Sequence, residues 1–257
     1  VYGFGRKPEY LRWTTTMEHQ VFATSKEAPD APTPGGGSMV RVAKTKSQNP
    51  VGTALAVEAW AQPGKANGVV VARGGPTDGY ALIVKGGKPQ FILRAKSQMV
   101  AVTAAQSVAG EWAHLVGVLT ADKKIELYVN GKLAGSRKVS DLLRADPLQP
   151  MEIGADEAGS VGNYKTPYPF TGLIDEVRVY HGTVSAEDVG RRFKDPKATI
   201  ETATLVFATT FDDGKAQDIS GNGNHGEPVG LNPAAGKVGK AFRFTGRGSR
   251  GGGSYVE

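Results

Sequence analysis

The chain has 257 residues, of which 39% are hydrophobic and 22% charged, so it holds enough apolar material for a core and is not globally disordered. The absence of cysteine excludes disulfides, zinc–thiolate sites and thiol nucleophiles. The net charge of +6 does not indicate a nucleic-acid partner, because single Lys and Arg residues lie scattered among Asp and Glu and form no basic stripe.

The N-terminal part differs from the rest of the chain in composition. Residues 1–24 are rich in aromatic residues but show no clear period, and residues 25–38 (SKEAPDAPTPGGGS) have the composition of a linker. We therefore predict an N-terminal extension and Pro/Gly linker over residues 1–37, which could form part of a host domain. We expect the chain to be a piece of a longer protein, since it opens without Met and ends in a strand-like pattern. No apolar run approaches the ~20 residues of a membrane helix, so no membrane span is predicted.

Short strands are predicted along the middle of the chain. Leu55, Val57 and Ala59 alternate with less apolar neighbours and form one face of the first strand. The Asn130-Gly131 pair predicts a tight hairpin into a strand that begins at Lys132. Further strands, each bounded by Gly, Pro or Asp, are predicted over residues 68–73, 79–85, 90–95, 98–103, 112–119, 125–130 and 151–154.

The next strand, residues 172–180, is predicted to place Asp175, Val177 and Val179 on one face. One helix follows near residues 185–193, with Ser185 as its N-cap. Final strands are predicted over residues 204–211, 241–245 and 254–257, around a Gly/Asn-rich loop at 214–226. With 35 glycines in all, such regular short strands are typical of an all-β sandwich or barrel.

Three segments together resemble the concanavalin A-like lectin/glucanase superfamily, in its bacterial laminin-G-like branch, and they cover most of residues 38–257. They are EWAHLVGV with IELYVNGK (111–118 and 125–132), FTGLIDEVRVY with SAEDV (170–180 and 185–189), and FDD through DISGNGNHG to GKAFRF (211–213, 218–226 and 239–244). The resemblance implies a two-sheet antiparallel jelly-roll sandwich.

The order of the segments departs from the family's usual pattern. The stretch like 205–246 normally comes first, whereas here it comes last, and the lead-in GGGSMV near residue 38 matches GGGSYV near residue 254. Circular permutation explains this order if residues 205–257 complete one sandwich that spans 38–257. Two truncated tandem domains are the alternative. Permuted termini lie close together and suit a domain inserted into a host.

Catalysis is not expected. Laminarinase-type members of the superfamily carry Glu-x-Asp-x-Glu on one strand, which places acid and nucleophile on one face. The nearest candidates here are Glu152, Asp156 and Glu157, whose spacing is wrong. His114 lies on an apolar strand, where a hydrogen-bonded core role is commoner than that of a base.

Oxygen-bearing side chains crowd the loop at 212–224, and such hard ligands suit Ca²⁺. The same residue types also form tight turns without an ion. The resemblance implies one structural calcium near residues 218–226. We therefore predict Asp218 as the best ligand, with Asp212, Asn222 and Asp175 as partners.

A carbohydrate site needs an aromatic ring for the C–H face of a sugar and a few polar groups beside it. Tyr164, Asn163 and Tyr168 lie in a polar, Pro-flanked loop and are the predicted ligand-binding residues, with a packing role for the tyrosines as the alternative. Trp60 and Trp112 lie in alternating strands and are interpreted as core.

These observations predict a non-catalytic module that binds carbohydrate or another surface ligand within a larger exported bacterial protein. The expected partners are a polysaccharide or glycan and the host domains of the same polypeptide, and the expected location is secreted, periplasmic or at the cell surface. The alternative is an architectural domain inserted in a host β-propeller or enzyme, with no ligand of its own. A catalytic lyase or hydrolase is the third hypothesis.

Overall fold

The computed structural model describes residues 37–157 and 159–246, and within these ranges the chain forms two antiparallel sheets packed face to face. The all-β sandwich predicted from the sequence is confirmed. The strands are β1 Met39–Val42, β2 Leu55–Pro63, β3 Gly68–Gly74, β4 Gly79–Lys85, β5 Lys88–Ala95, β6 Gln98–Thr103, β7 Ala113–Leu119, β8 Lys124–Val129, β9 Lys132–Lys138, β10 Met151–Ile153, β11 Thr171–Gly182, β12 Ala203–Thr209, β13 Gly226–Val229, β14 Asn232–Ala235 and β15 Lys240–Thr245; the helix is α1 Ala186–Lys194, and a 3₁₀ turn spans Lys46–Gln48.

One sheet has seven strands in the order β13-β1-β10-β3-β4-β5-β6. The other has eight, in which β14-β15-β11-β2-β7-β8-β9 are consecutive and β12 pairs with β11. The long strand β11 pairs with β2 along one edge. Along its other edge it pairs first with β15 and then with β12. The described strands between residues 203 and 245 therefore contribute to both sheets. The strand predicted over residues 254–257 lies outside the described residues. The proposed domain boundaries at 1–37 and 38–257 stay predictions.

The core lies between the two sheets and is formed by alternate residues of each strand. Leu55, Val57 and Ala59 are fully buried in it, as their period-two spacing predicted. Phe91 of β5 packs directly against Gly117 of β7 across the core. A Cβ added at Gly117 would lie 2.2 Å from the ring of Phe91, so only glycine leaves room for that ring.

Strand β11 carries a bulge that the sequence pattern did not reveal. Its register shifts between Asp175 and Arg178, and Glu176 adopts a left-handed φ of 52°. The extra residue changes which side chains share a face, so that Ile174 rather than Asp175 joins Val177 in the core. The predicted placement of Asp175 on one face with Val177 and Val179 is therefore wrong.

Both outward faces of the sandwich are covered in part. Helix α1 begins with a reciprocal capping box between Ser185 and Asp188, and Val189 packs on the outward face of the eight-stranded sheet. The segment 161–168 lies over the outward face of the seven-stranded sheet, where Val161 is fully buried. Across the described part of the chain, no helix combines the length and apolar character required to span a membrane.

Candidate functional site

The structure buries Asp218, the best predicted calcium ligand, in a net of hydrogen bonds. One carboxylate oxygen accepts from the backbone N–H groups of Ala208 (3.0 Å) and Ser220 (2.9 Å). The other accepts from the Ser220 hydroxyl (2.8 Å) and the Asn224 N–H (2.8 Å). Burial alone would raise the pKa of Asp218, but these donors outweigh it and lower the pKa. The Asp218 carboxylate thus holds the loop that contains Ser220 and Asn224 against β12.

The other predicted calcium ligands are divided between two places. The Asn222 side chain donates to the carbonyl of Leu205 (3.0 Å), beside Asp218. Asp212 instead accepts from the Lys240 N–H (2.8 Å), and Asp175 accepts from the Val238 N–H (3.0 Å), so both of these carboxylates hold the β14–β15 turn.

The predicted set does not fit a calcium ion as the structure arranges it. Four N–H or O–H donors point at the Asp218 carboxylate, where a cation would need free oxygen lone pairs. Within residues 37–157 and 159–246, no three Asp, Glu or His side chains converge in a way that could hold a metal. Calcium stays a prediction from the resemblance.

The predicted ligand-binding loop is built mainly by contacts within the protein. The Tyr164 hydroxyl donates to Asp156 (2.5 Å), and the Tyr168 hydroxyl donates to Asn67 (3.0 Å). The two tyrosine rings stack on each other with centroids 4.9 Å apart. Both tyrosines are half-buried against the seven-stranded sheet, while Asn163 is exposed. This arrangement agrees with the packing alternative for the tyrosines and leaves Asn163 free to contact a ligand.

Two of the three acidic residues considered for catalysis, Asp156 and Glu152, are buried. Burial raises the pKa of Asp156 to about 6, against the hydrogen bond from Tyr164, and the nearby charge of Glu152 raises it further. Glu152 is only 2% exposed and accepts from the Glu157 N–H (2.6 Å). Substrate therefore has no direct access to Asp156 or Glu152.

His114 belongs to a buried ionic cluster on the outward face of the eight-stranded sheet. Its Nε2 lies 3.0 Å from Glu58, and Arg192 of α1 donates to both oxygens of the same carboxylate (2.9–3.2 Å). Burial would raise the pKa of Glu58, but His114 and Arg192 together lower it to about 2. Trp60 lies in the same region, 5.1 Å from His114 and 5.8 Å from Phe193 between ring centroids.

A groove of about 630 Å³ opens at one end of the sandwich. Three separate segments line it, namely residues 104–113, the β8–β9 turn at residues 129–134, and Phe193 near the end of α1. Its volume lies in the range of roughly 300–1,000 Å³ that small-molecule sites usually have. The groove is therefore large enough for a small ligand.

The groove presents aromatic rings and several polar groups without protein partners. Trp112 is half-buried, and its strand begins only at Ala113, so the interpretation of Trp112 as a core residue is wrong. Glu111, Lys132 and Gln106 are exposed, and within the described residues their side chains make no hydrogen bond or ion pair. Aromatic rings beside several free polar groups are the composition of a carbohydrate site.

The β8–β9 turn fixes one further polar group of the groove. Asn130 and Gly131 have φ values of 51° and 76°, so the predicted Asn-Gly hairpin is a two-residue turn with both residues in the left-handed region. The Asn130 side-chain oxygen accepts from the His114 N–H at 2.9 Å, and the Asn130 N–H donates to the His114 carbonyl at 2.8 Å. Two hydrogen bonds thus fix the position of Asn130 at the groove wall.

A family model described as the concanavalin A-like lectin/glucanases superfamily matches residues 34–190, more than half of the chain. No curated protein sequence is a match.

Comparison with solved structures gives several matches at low sequence identity. A proposed carbohydrate-binding protein from Bacteroides ovatus has a TM-score of 0.55 at 15% identity, with 82% of this chain and 59% of that chain covered. A heptameric SAP-like pentraxin from Limulus polyphemus has a TM-score of 0.49 at 16% identity over 63% and 77% of the two chains. The receptor-binding domain of botulinum neurotoxin D has a TM-score of 0.47 at 14% identity over 62% and 41%. At such identities the Bacteroides ovatus structure indicates the sandwich fold alone.

Proposed function

This chain belongs to the concanavalin A-like lectin/glucanase superfamily, and from that premise we propose that it is a non-catalytic module that binds a carbohydrate or another surface ligand. The groove between residues 104–113, the β8–β9 turn and Phe193 is the observation that carries the proposal. It offers the ring of Trp112 for the C–H face of a sugar, and it offers Asn130, Glu111 and Lys132 for hydroxyl groups.

The groove supports binding rather than hydrolysis. Glycoside hydrolysis uses two carboxylates on opposite sides of the scissile bond. Among the described residues that line the groove, Glu111 alone carries a carboxylate. The buried Glu58 is held ionised by Arg192 and His114 and faces the underside of α1.

The same proposal includes the binding partner, the host polypeptide and the cellular location of the module. A polysaccharide or glycan partner is supported by the Bacteroides ovatus protein, which is itself proposed to bind carbohydrate. The chain spans 59% of that protein. Host domains of the same polypeptide are proposed from the linker-like composition of residues 25–38. Export from a bacterial cell, with the module secreted, periplasmic or at the surface, rests on the resemblance of the sequence to the bacterial laminin-G-like branch.

A glycan array tests the proposal, with Trp112→Ala and Tyr168→Ala as matched aromatic variants. We expect the protein to bind at least one glycan class, Trp112→Ala to abolish that binding, and Tyr168→Ala to retain it. Loss in Tyr168→Ala alone would move the site to the loop that contains Tyr164 and Asn163. Absence of binding to every glycan and to intact bacterial surfaces would favour the architectural alternative, and release of products from a bound glycan would favour an enzyme.

A further inference from the structure

The amide of Asn130 is oriented by the backbone beside it. A backbone N–H can only donate, so the side-chain oxygen of Asn130 must be the atom that faces the His114 N–H at 2.9 Å. The side-chain NH₂ group therefore points elsewhere. In the described part of the chain this NH₂ group has no acceptor, although Asn130 lines the groove. The groove thus contains a fixed donor that a ligand can use.

Apolar side chains, all but one of them small, line most of the remaining wall, and they are Ala104, Val108, Ala113, Val129, Leu133 and Ala134. A sugar hydroxyl placed against them would lose hydrogen bonds to water without replacing them, which is unfavourable. A methyl group placed there would instead leave water at a gain in free energy. The groove therefore favours a ligand that carries an apolar group next to a hydrogen-bond acceptor.

We propose that the groove selects sugars that carry an acetamido group, an inference that rests on the proposed carbohydrate-binding function. The acetamido carbonyl accepts from the Asn130 NH₂ group, its methyl group packs among the small apolar side chains, and its N–H donates to the free carboxylate of Glu111. The pyranose ring stacks on Trp112. A hydroxyl in place of the acetamido group cannot fill the apolar wall.

Paired sugars test the inference on the full 257-residue chain. The probes are the methyl glycosides of N-acetylglucosamine and N-acetylgalactosamine, each compared with the glycoside of glucose or galactose. Binding is followed through the indole N–H resonance of Trp112, assigned by its loss in Trp112→Phe. We expect the acetamido sugar of at least one pair to bind about tenfold more tightly, as one hydrogen bond and one buried methyl group imply.

Asn130→Asp is the diagnostic variant. Aspartate keeps the acceptor for the His114 N–H and suits the same turn, since Asp-Gly is as favourable there as Asn-Gly, but it removes the NH₂ donor. We expect the acetamido preference to disappear while the melting temperature is retained. The matched control Asn163→Asp, in the exposed loop, should keep the preference.

The outcomes separate this inference from the proposed function. Equal binding of acetamido and hydroxyl sugars would overturn the acetamido inference and leave the carbohydrate-binding function standing. Binding of no probe, together with an empty glycan array, would overturn both. Loss of the preference in Asn163→Asp rather than in Asn130→Asp would place recognition outside the groove and would also overturn the inference.

Discussion

At the scale of single residues, several buried charged groups of this protein hold segments of the chain together. Arg192 reaches from α1 to Glu58 on β2, and its remaining N–H groups donate to the carbonyls of Pro196 and Ala198. Both members of the ion pair are only 2% exposed. A buried charge without its partner is far more costly than a buried pair. Helix α1, which carries the groove residue Phe193, therefore depends on this ion pair for its position.

We expect Arg192→Met to destabilise the protein by about 3–5 kcal/mol, because it leaves the buried Glu58 carboxylate without the guanidinium that contacts both of its oxygens. The double variant Glu58→Gln/Arg192→Met removes the uncompensated charge and should be more stable than Arg192→Met alone. Urea unfolding of both variants and the parent measures the difference. A double variant less stable than Arg192→Met would show that the ion pair is not the source of the loss.

Asp175 makes the stability of the protein depend on pH. Burial raises the pKa of Asp175 to about 7, against the N–H donors of Val238 and Glu176. The folded state therefore holds a proton that the unfolded state releases near pH 4, so the contribution of Asp175 to stability should fall as the pH rises from about 4 to about 7. Between pH 4 and pH 7 and above, the contribution of Asp175 to the free energy of unfolding would fall by about 4 kcal/mol in all.

Asp175→Asn cannot ionise and should flatten that part of the pH profile, whereas the exposed control Asp213→Asn should not. Melting temperatures measured from pH 4 to pH 8 for the three proteins check this expectation. An unchanged slope in Asp175→Asn would assign the pH dependence to another group.

At the scale of elements, strands with alternating faces could be predicted because burial on one face leaves a period of two in the sequence. Strands β13 and β14 were missed. Their sequences GEPV and NPAA contain proline and no alternation, and both strands lie at the edge of a sheet, where proline is tolerated. The β11 bulge was missed because its cause is a single left-handed residue, Glu176, which no sequence pattern marks.

The groove could not be predicted for a different reason. Its walls come from three segments that are distant in sequence, and each segment alone has an ordinary composition. The Asn-Gly turn was predicted correctly as a turn, but its hydrogen bonds to His114 depend on the pairing of β7 with β8. The strand was predicted to begin at Trp112, but it begins at Ala113. This one-residue difference in the boundary places Trp112 in the groove instead of in the core.

The loop after β12 offers a test between hydrogen bonding and calcium. Asp218→Asn replaces one carboxylate oxygen by an NH₂ group that would face N–H or O–H donors. We expect this change to lower the free energy of unfolding by about 2–3 kcal/mol. We expect the same fall in melting temperature in EDTA and in millimolar calcium. Asp213→Asn, which changes a neighbouring exposed carboxylate, is the control. A parent protein stabilised by calcium, with that gain lost in Asp218→Asn, would instead support the predicted calcium ligand.

At the scale of the whole molecule, the described strands after residue 202 are part of the sandwich rather than an appendage. β15 and β12 together pair with one edge of β11 from Thr171 to Gly182, except at the bulge. Four phenylalanines from this part of the chain are at most 1% exposed, namely Phe207, Phe211, Phe242 and Phe244. They pack in the same core as residues contributed by β2 and β5.

Removal of residues 203–257 should therefore abolish cooperative folding. Replacing one buried Phe by Ala costs about 3–5 kcal/mol, so the loss of four, roughly 12–20 kcal/mol, is at least comparable to the roughly 5–15 kcal/mol by which most domains are stable.

Removal would also leave most of one edge of β11 unpaired, next to an open core, which favours aggregation. We expect a chain that ends at residue 202 to be insoluble or to melt without a transition, and addition of a separate 203–257 peptide to restore a cooperative transition by re-forming the same strand pairs. A soluble 1–202 chain with a sharp thermal transition would contradict this expectation. It would favour two truncated tandem domains over a single permuted sandwich in which residues 205–257 complete the fold.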